Sequence, residues 1–310
     1  MFAALLRKAP APGIFAIGID GEGIAIAQVL TRSGQRPVLL ASDYCAYGNN
    51  SGVAALMQSI AQKYHLQKAF CSSVLENCDY KLLLTEAPDV PADELHSALR
   101  WRIKDLIDAP VNDITLDVID APHTAGTQRS AVYVVAVRNE VIWQRVDLLK
   151  AAKVNLQIID IAEMAQRNIA RLLPQDAMGI AALSLRPHCS LITLSRAGEL
   201  YLSRTLAVGL EAIGDPQQRE SAYNQVALEI QRSLDYYESH FRQAPIRHLA
   251  LLPLPREAAR LVEYLRQNLS IEVQVVDLNE LVDHQIELTR DLQAKIFLSF
   301  GAALREQAAA

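Results

Sequence analysis

The sequence lacks most of what marks chemistry. Its four cysteines, Cys45, Cys71, Cys78 and Cys189, form no CxxC pair, which argues against a zinc or dithiol redox site. They are also too sparse for a secreted disulfide scaffold and read as reduced thiols of a cytoplasmic chain. No apolar run approaches the roughly 18 to 20 residues of a membrane span; the longest is 131–137. The N-terminal MFAALLRKAPAPG carries its basic pair behind its apolar residues, the reverse of a signal peptide. It reads as a frayed tail, with a weak surface anchor as the alternative. Positive charge is not in excess: 30 basic against 35 acidic residues leave a net charge of -5, so no global field draws nucleic acid or an anionic membrane. No G-x-S-x-G elbow is present, and His188-Cys189 has no second pair at ligand spacing. Gly18-x-x-Gly21-x-Gly23 departs from the GxGxxG spacing and lies in a hairpin. No catalytic residue and no metal site is expected.

What is present is a repeat. The stretch 16–34, AIGIDGEGIAIAQVLTRSG, has a second copy 164 positions later, with Asp20 on Ser184 and Thr31-Arg32-Ser33-Gly34 on Ser195-Arg196-Ala197-Gly198. Each copy reads as an apolar strand, a tight turn, a second strand, a glycine-containing hairpin turn and a third strand. With 310 residues and 51% hydrophobic composition, the chain has enough for two cores, and the repeat predicts a duplicated α/β architecture with one unit opening each lobe.

The rest of the chain supplies the elements of such lobes. A helix over 53–65 and a strand over 69–75 complete the first unit. From residue 80 the order is strand, helix, strand, strand, helix, strand, ending at 161, which is the ferredoxin-like order of a small inserted subdomain. Its first helix carries the stripe Leu95, Ala98, Leu99, Ile103 and Leu106, with Trp101 at the flank between Arg100 and Arg102. That triplet reads either as a core edge or as an interface anchor. The first lobe is then 14–79 plus 162–178, closed by the last helix 292–305. The inserted block is 80–161, and the second lobe is 179–291, with a long helix over 222–241.

The segments EAPDVPADELHSALRWRIKDLIDAPVNDITLDVIDAP, VYVVAVRNEVIWQRVDLLKAAKVNLQIIDI and EIQRSLDYYES, with the ending FLSFGAAL, resemble the PilM-like proteins of type IV pilus assembly. The likeness runs over about 14–305 and is strongest to the branch that serves the mannose-sensitive haemagglutinin (MSHA) pilus. It implies an actin-like, FtsA-like fold in which 80–161 is the inserted SHS2-like subdomain. It also implies a cytoplasmic scaffold, held at the inner membrane by docking the cytoplasmic tail of a PilN-like inner-membrane partner. Through the related cytoplasmic domain of the type II secretion protein GspL, it implies contact with the assembly ATPase.

An actin-like fold grips phosphates with two Asp-x-Gly turns, one per lobe. Here the matching positions read Asp20-Gly21-Glu22 and Ser184-Leu185-Arg186, with Gly23 just beyond the first. The family's adenosine-binding Gly-Gly turn is matched by Leu252-Pro253-Leu254-Pro255, where Pro253 offers no N–H. The expectation is a degenerate nucleotide site without cofactor or catalysis; the alternative is an ATP-binding switch or weak ATPase using Mg²⁺. In this alignment Glu22 and Arg186 occupy equivalent turn positions, so they read either as a bridge across the cleft or as unrelated loop charges.

Overall fold

A computed structural model of the chain describes residues 12–48, 52–122 and 130–305. The N-terminal stretch 1–11, most of the loop 121–128 and the terminal alanines lie outside the described residues.

The first unit is an antiparallel meander, β1 (Ile14–Ile19), β2 (Gly23–Leu30) and β3 (Val38–Ala46), followed by helix α1 (Val53–Lys63) and by β4 (Phe70–Leu75), which lies parallel to β1. Alternation along β1 and β2 separates two buried faces. Phe15, Ile17, Ile24 and Ile26 point to α1, meeting Met57 and Ile60. Ala16, Ala25 and Ala27 point the other way, toward the C-terminal helix. Their small size lets that helix lie close, and a Cβ on Gly18 would stand 2.8 Å from the Ser299 hydroxyl.

Next come β5 (Tyr80–Glu86), α2 (Leu95–Arg102), β6 (Ile114–Asp120), β7 (Ala131–Arg138), α3 (Asn139–Ala151) and β8 (Leu156–Ile161). The order matches the expected ferredoxin-like one, but the pairing does not. β5, β7 and β6 form a three-stranded sheet in that order, and β8 leaves it to pair in parallel with β4. The cause lies in α3. Its Leu149, with the following Ala152 and Val154, packs into the α1 core of the first lobe, so the strand after it is delivered to the open edge of β4.

Helix α4 (Ala162–Ala170) leads into the second unit, β9 (Ile180–Leu185), β10 (Ser190–Arg196) and β11 (Glu199–Leu206). Helices α5 (Leu210–Gly214) and α6 (Arg219–Phe241), strand β12 (His248–Leu251), helix α7 (Ala259–Asn268) and strand β13 (Glu272–Val275) complete a five-stranded sheet of order β11-β10-β9-β12-β13. On α6 the stripe Val226, Ile230, Tyr237 and Phe241 is buried against this sheet. The chain then returns earlier than the expected boundary at 291. Helix α8 (Leu278–Leu281) and the two-residue strand β14 (Asp283–His284) rejoin the first sheet beside β3, giving the order β14-β3-β2-β1-β4-β8. Helix α9 (Arg290–Ala303) follows, with the Thr289 hydroxyl accepting from the Leu292 N–H at 3.2 Å as its N-cap.

The two lobes share one core across α4 and α9. Ile169 and Ala170 of α4 and Ile296 and Phe300 of α9 cluster with Ile180, Ala182 and Leu191 of the second sheet. The helices touch at Gly301, where a Cβ would come within 2.2 Å of the Ala165 carbonyl oxygen, so only glycine fits there. Gln166 crosses to the second sheet, donating to the Ala182 carbonyl at 2.6 Å and the Thr193 hydroxyl at 3.0 Å.

Glu163, in the first turn of α4, joins three bodies. It accepts from the Tyr80 hydroxyl of the inserted sheet and from the Ser203 hydroxyl of β11 at 3.2 Å. Burial pushes its carboxyl above the ordinary value of 4.5, outweighing the Tyr80 bond that favours the charge. A carboxyl raised in the folded state makes the native protein bind more protons than the unfolded chain. Its stabilising contribution is complete below the ordinary value and is lost as pH rises through the raised one. Urea unfolding at about pH 5 and about pH 8 should therefore show a smaller loss of stability across that interval in Glu163→Gln than in the parent.

Candidate functional site

The two hairpin turns that open the lobes meet at one end of the cleft, but their equivalence differs from the expected alignment. In the first turn the Asp20 N–H donates to the Gly23 carbonyl at 3.1 Å, and in the second the Arg186 N–H donates to the Cys189 carbonyl at 2.8 Å. Each donor follows directly on the last residue of its strand, Ile19 of β1 and Leu185 of β9. Arg186 is therefore the counterpart of Asp20. Ser184 is not in the turn at all but buried within β9. The slip is two residues, and side chains alternate with period two, so the buried pattern is the same in either alignment.

Arg186 reaches across the cleft. Its Nη2 lies 3.2 Å from Asp20 Oδ2, and its Nε donates to Glu76 Oε2 at 3.1 Å while Nη2 bonds Glu76 Oε1. The expected partner, Glu22, is instead paired with Lys295 of α9, whose ammonium also sits 5.1 Å from the Tyr44 ring centre. The correction follows from exposure. Glu22 is at the tip of its turn with its side chain 58% accessible, whereas Asp20 and Glu76 emerge side by side from the ends of the neighbouring parallel strands β1 and β4 and face inward.

The buried ion pair pulls both ways. Burial opposes the Arg186 charge, but Glu76 and Asp20 outweigh it and hold the guanidinium above its ordinary value. For Glu76 burial is the larger effect and its carboxyl is pushed up despite Arg186. The forked geometry favours an ionised pair, since both carboxylate oxygens of Glu76 accept from the same guanidinium.

Asp20 is occupied from every side. Its Oδ1 accepts the Glu22 and Gly23 N–H groups, each at 2.8 Å, which are the backbone donors a phosphate would need. Tyr47 donates to its carbonyl at 3.0 Å. Gly21 has open space where a Cβ would stand, while Gly23 is required by the Cys45 carbonyl, 2.5 Å from its own Cβ position. Behind Glu76, Arg145 of α3 donates to Ser73 at 3.2 Å and lies 3.9 Å from Asp79, with burial holding its charge below the ordinary value. Asn77 crosses to β11, donating to the Thr205 hydroxyl at 3.4 Å. Pro253 is buried just beyond β12. Among the described residues no group of three His, Cys, Asp or Glu side chains is placed to hold a metal ion. Glu76, Asn77, Arg145 and Lys295 carry no local sequence signal. Only the adjacency of β1 and β4, and the docking of α3 and α9, would find them.

A second concave region runs between the inserted sheet and the first lobe. A cavity of about 650 Å³ is lined by Thr115, Val118 and Ile119 of β6, by Ile159 of β8 and by Met164 and Arg167 of α4. A second, of about 600 Å³, shares Ile119, Asp120, Met164 and Arg167 and continues to the β10–β11 turn at Gly198. β6 ends the three-stranded sheet and β8 ends the six-stranded one, so two strand edges that are unpaired among the described residues line the same groove.

The Arg100-Trp101-Arg102 triplet lies elsewhere. Leu99 and Ile103 of the same stretch pack with Val134 and Ala136, whereas the groove is lined by Val135 and Val137 on the opposite face of the sheet. Trp101 is 65% exposed, so the core-edge reading does not hold. Leu106, counted in the expected stripe, is exposed as well. Arg100 donates to the Val111 and Ile114 carbonyls and ties α2 to the start of β6, and Arg102 lies 3.5 Å from Glu86. Among the described residues no helix is long and apolar enough to cross a membrane.

No protein-family model and no curated protein matches the sequence. Solved structures do match. One is a PilM-PilN type IV pilus biogenesis complex, 21% identical, covering 95% of this chain and 98% of that one with a TM-score of 0.73. Another is the cytoplasmic domain of EpsL, an inner-membrane component of the type II secretion system of Vibrio cholerae, 14% identical over 95% of this chain and 96% of that one, TM-score 0.52. A third, from Bacteroides thetaiotaomicron, is a protein of unknown function with an actin-like ATPase fold, 10% identical over 94% and 98%, TM-score 0.53. The chain has the two-lobed actin-like α/β fold.

Proposed function

We propose that the chain is a non-catalytic scaffold of type IV pilus biogenesis, MshI-like and serving an MSHA-type pilus, which docks the extended cytoplasmic tail of a PilN-like inner-membrane protein. The observation that carries this reading is the groove between β6 and β8. Two open strand edges with apolar walls offer an extended peptide both backbone hydrogen bonds and side-chain pockets. The likeness to the PilM-PilN complex supports the kind of partner. The chain sits in the cytoplasm in this reading, held at the inner membrane through that tail. Contact with the assembly ATPase is part of the same proposal.

We further propose that the interlobe cleft binds no Mg-ATP. The residues present fit that ligand poorly: the carboxylate that would organise Mg²⁺ is bonded to its own turn, its counterpart is Arg186, and Arg186 closes on Glu76 where phosphates would lie. A charge pair then sets the lobe angle in place of a nucleotide.

Three measurements test these readings. Isothermal titration with Mg-ATP should give no binding heat; a dissociation constant in the low micromolar range would favour an ATP-driven switch instead. Pull-down by a PilN-like partner should be lost when its cytoplasmic tail is deleted, and retention would remove the docking groove from consideration. Arg186→Ala should lower stability by about 3 kcal/mol, because it takes the guanidinium from two carboxylates, Asp20 and Glu76, whose side chains are only 15% and 19% exposed. Glu22→Ala, which removes an exposed pair with Lys295, should change stability by about 0.5 kcal/mol or less; equal losses in chemical denaturation would show that the cleft is not held by Arg186.

A further inference from the structure

Met164 and Arg167 of α4 line both parts of the groove, and Arg167 is the polar one, lying between the helix and solvent. Its guanidinium is half satisfied. Nη2 donates to Asn168 Oδ1 at 2.7 Å, but Nε is buried and has no hydrogen-bond partner among the described residues. Two of the carboxylates near it are bonded elsewhere. Asp160 accepts the Ile161 N–H at 2.9 Å and Arg305 Nη1 at 3.3 Å. Asp117 Oδ1 accepts the Val118 N–H of its own strand at 2.8 Å. Burial depresses the Arg167 charge, Asp160 supports it, and Arg171 and Arg305 add like charge to the same wall. The guanidinium thus keeps donor capacity that its protein partners leave unused, and an acceptor brought into the groove can take it up.

We propose that Arg167 is the polar anchor of this groove, its guanidinium donating to a side-chain oxygen of the extended peptide that docks between β6 and β8. The inference rests on the docking proposed above. Apolar walls on Ile119 and Ile159 take alternate side chains of such a peptide, and Arg167 fixes its register by demanding an oxygen at one position. The neighbouring Asn168 holds the guanidinium in place, since its own amide donates to the Gly301 carbonyl at 2.9 Å and leaves its oxygen for Nη2.

The test is fluorescence anisotropy with a labelled synthetic peptide of the PilN-like partner's cytoplasmic tail and the full chain. Arg167→Gln should weaken binding about 10- to 100-fold, the loss expected for a hydrogen bond to a charged group. Its melting temperature should stay equal or rise, because an unpaired buried donor has gone. Replacing each polar residue of the tail by alanine should reveal one whose loss weakens binding to the parent and not to Arg167→Gln. If an isosteric amide in place of a carboxylate gives the same loss, the acceptor is acidic; if it does not, the acceptor is neutral, and both outcomes support the anchor. Unchanged affinity of Arg167→Gln, where Thr115→Arg in the groove wall abolishes binding, overturns the anchor and leaves the docking intact. Absence of binding to the parent protein overturns both.

Discussion

The placement of one cation, Arg186, governs the cleft. An actin-like fold aims two turns at each other, and two carboxylates at that meeting point repel unless something positive lies between them. In this chain the second turn supplies the positive charge itself. Arg186 spans from its own lobe to Asp20 and Glu76, and Asp20 turns its remaining oxygen back onto the N–H groups of Glu22 and Gly23. The arrangement is satisfied entirely from within the protein. Tyr44, Tyr47 and Asn77 close the surroundings with hydrogen bonds of their own. The clasp is anchored at both ends by strand termini, which is what gives its geometry precision.

Helix α4 plays the complementary part. Its nine residues form the junction of every body in the fold, because successive positions on a helix point about 100° apart. Glu163 faces the inserted sheet and β11, Gln166 the strands of the second lobe, Arg167 the groove and Asn168 the C-terminal helix. A polar residue in each direction would be expensive in an apolar core, and each direct bond offsets it. The same helix therefore links the groove to the lobe interface: Arg167 lies between two residues that hold α4 to the second sheet and to α9.

Much of the fold is legible in the sequence. The alternation of β1 and β2, the stripe on α6 and the repeated hairpin unit all follow from local side-chain periodicity, which survives into the folded state because each element buries one face or two. The misses have one kind of cause. Chain order alone puts β8 in the inserted block; its true partner is β4, chosen by how α3 packs on α1. β14 is too short to read, and its pairing with β3 exists only because α8 turns the chain back. Trp101, flanked by arginines, has two readings in sequence, and only the packing of Leu99 and Ile103 shows that its ring faces outward.

At the candidate site the division is sharper. The sequence by itself determined that the second turn has no aspartate, that prolines stand at 253 and 255 after β12, and that an acidic and a basic residue stand near the two turns. It also carried the helices, the strands and their duplication. Only the tertiary structure decided which acid meets the base. A shift of two residues preserves every buried face of β9, so periodicity could not tell Ser184 from Arg186 as the counterpart of Asp20, and backbone hydrogen bonds in the turns could. Glu76 entered the site because parallel strands end at the same edge, and Arg167 faces the groove because α4 is held on either side of it by Gln166 and Asn168. Such pairings depend on where distant segments meet in space, and that is set by the packing of the whole chain.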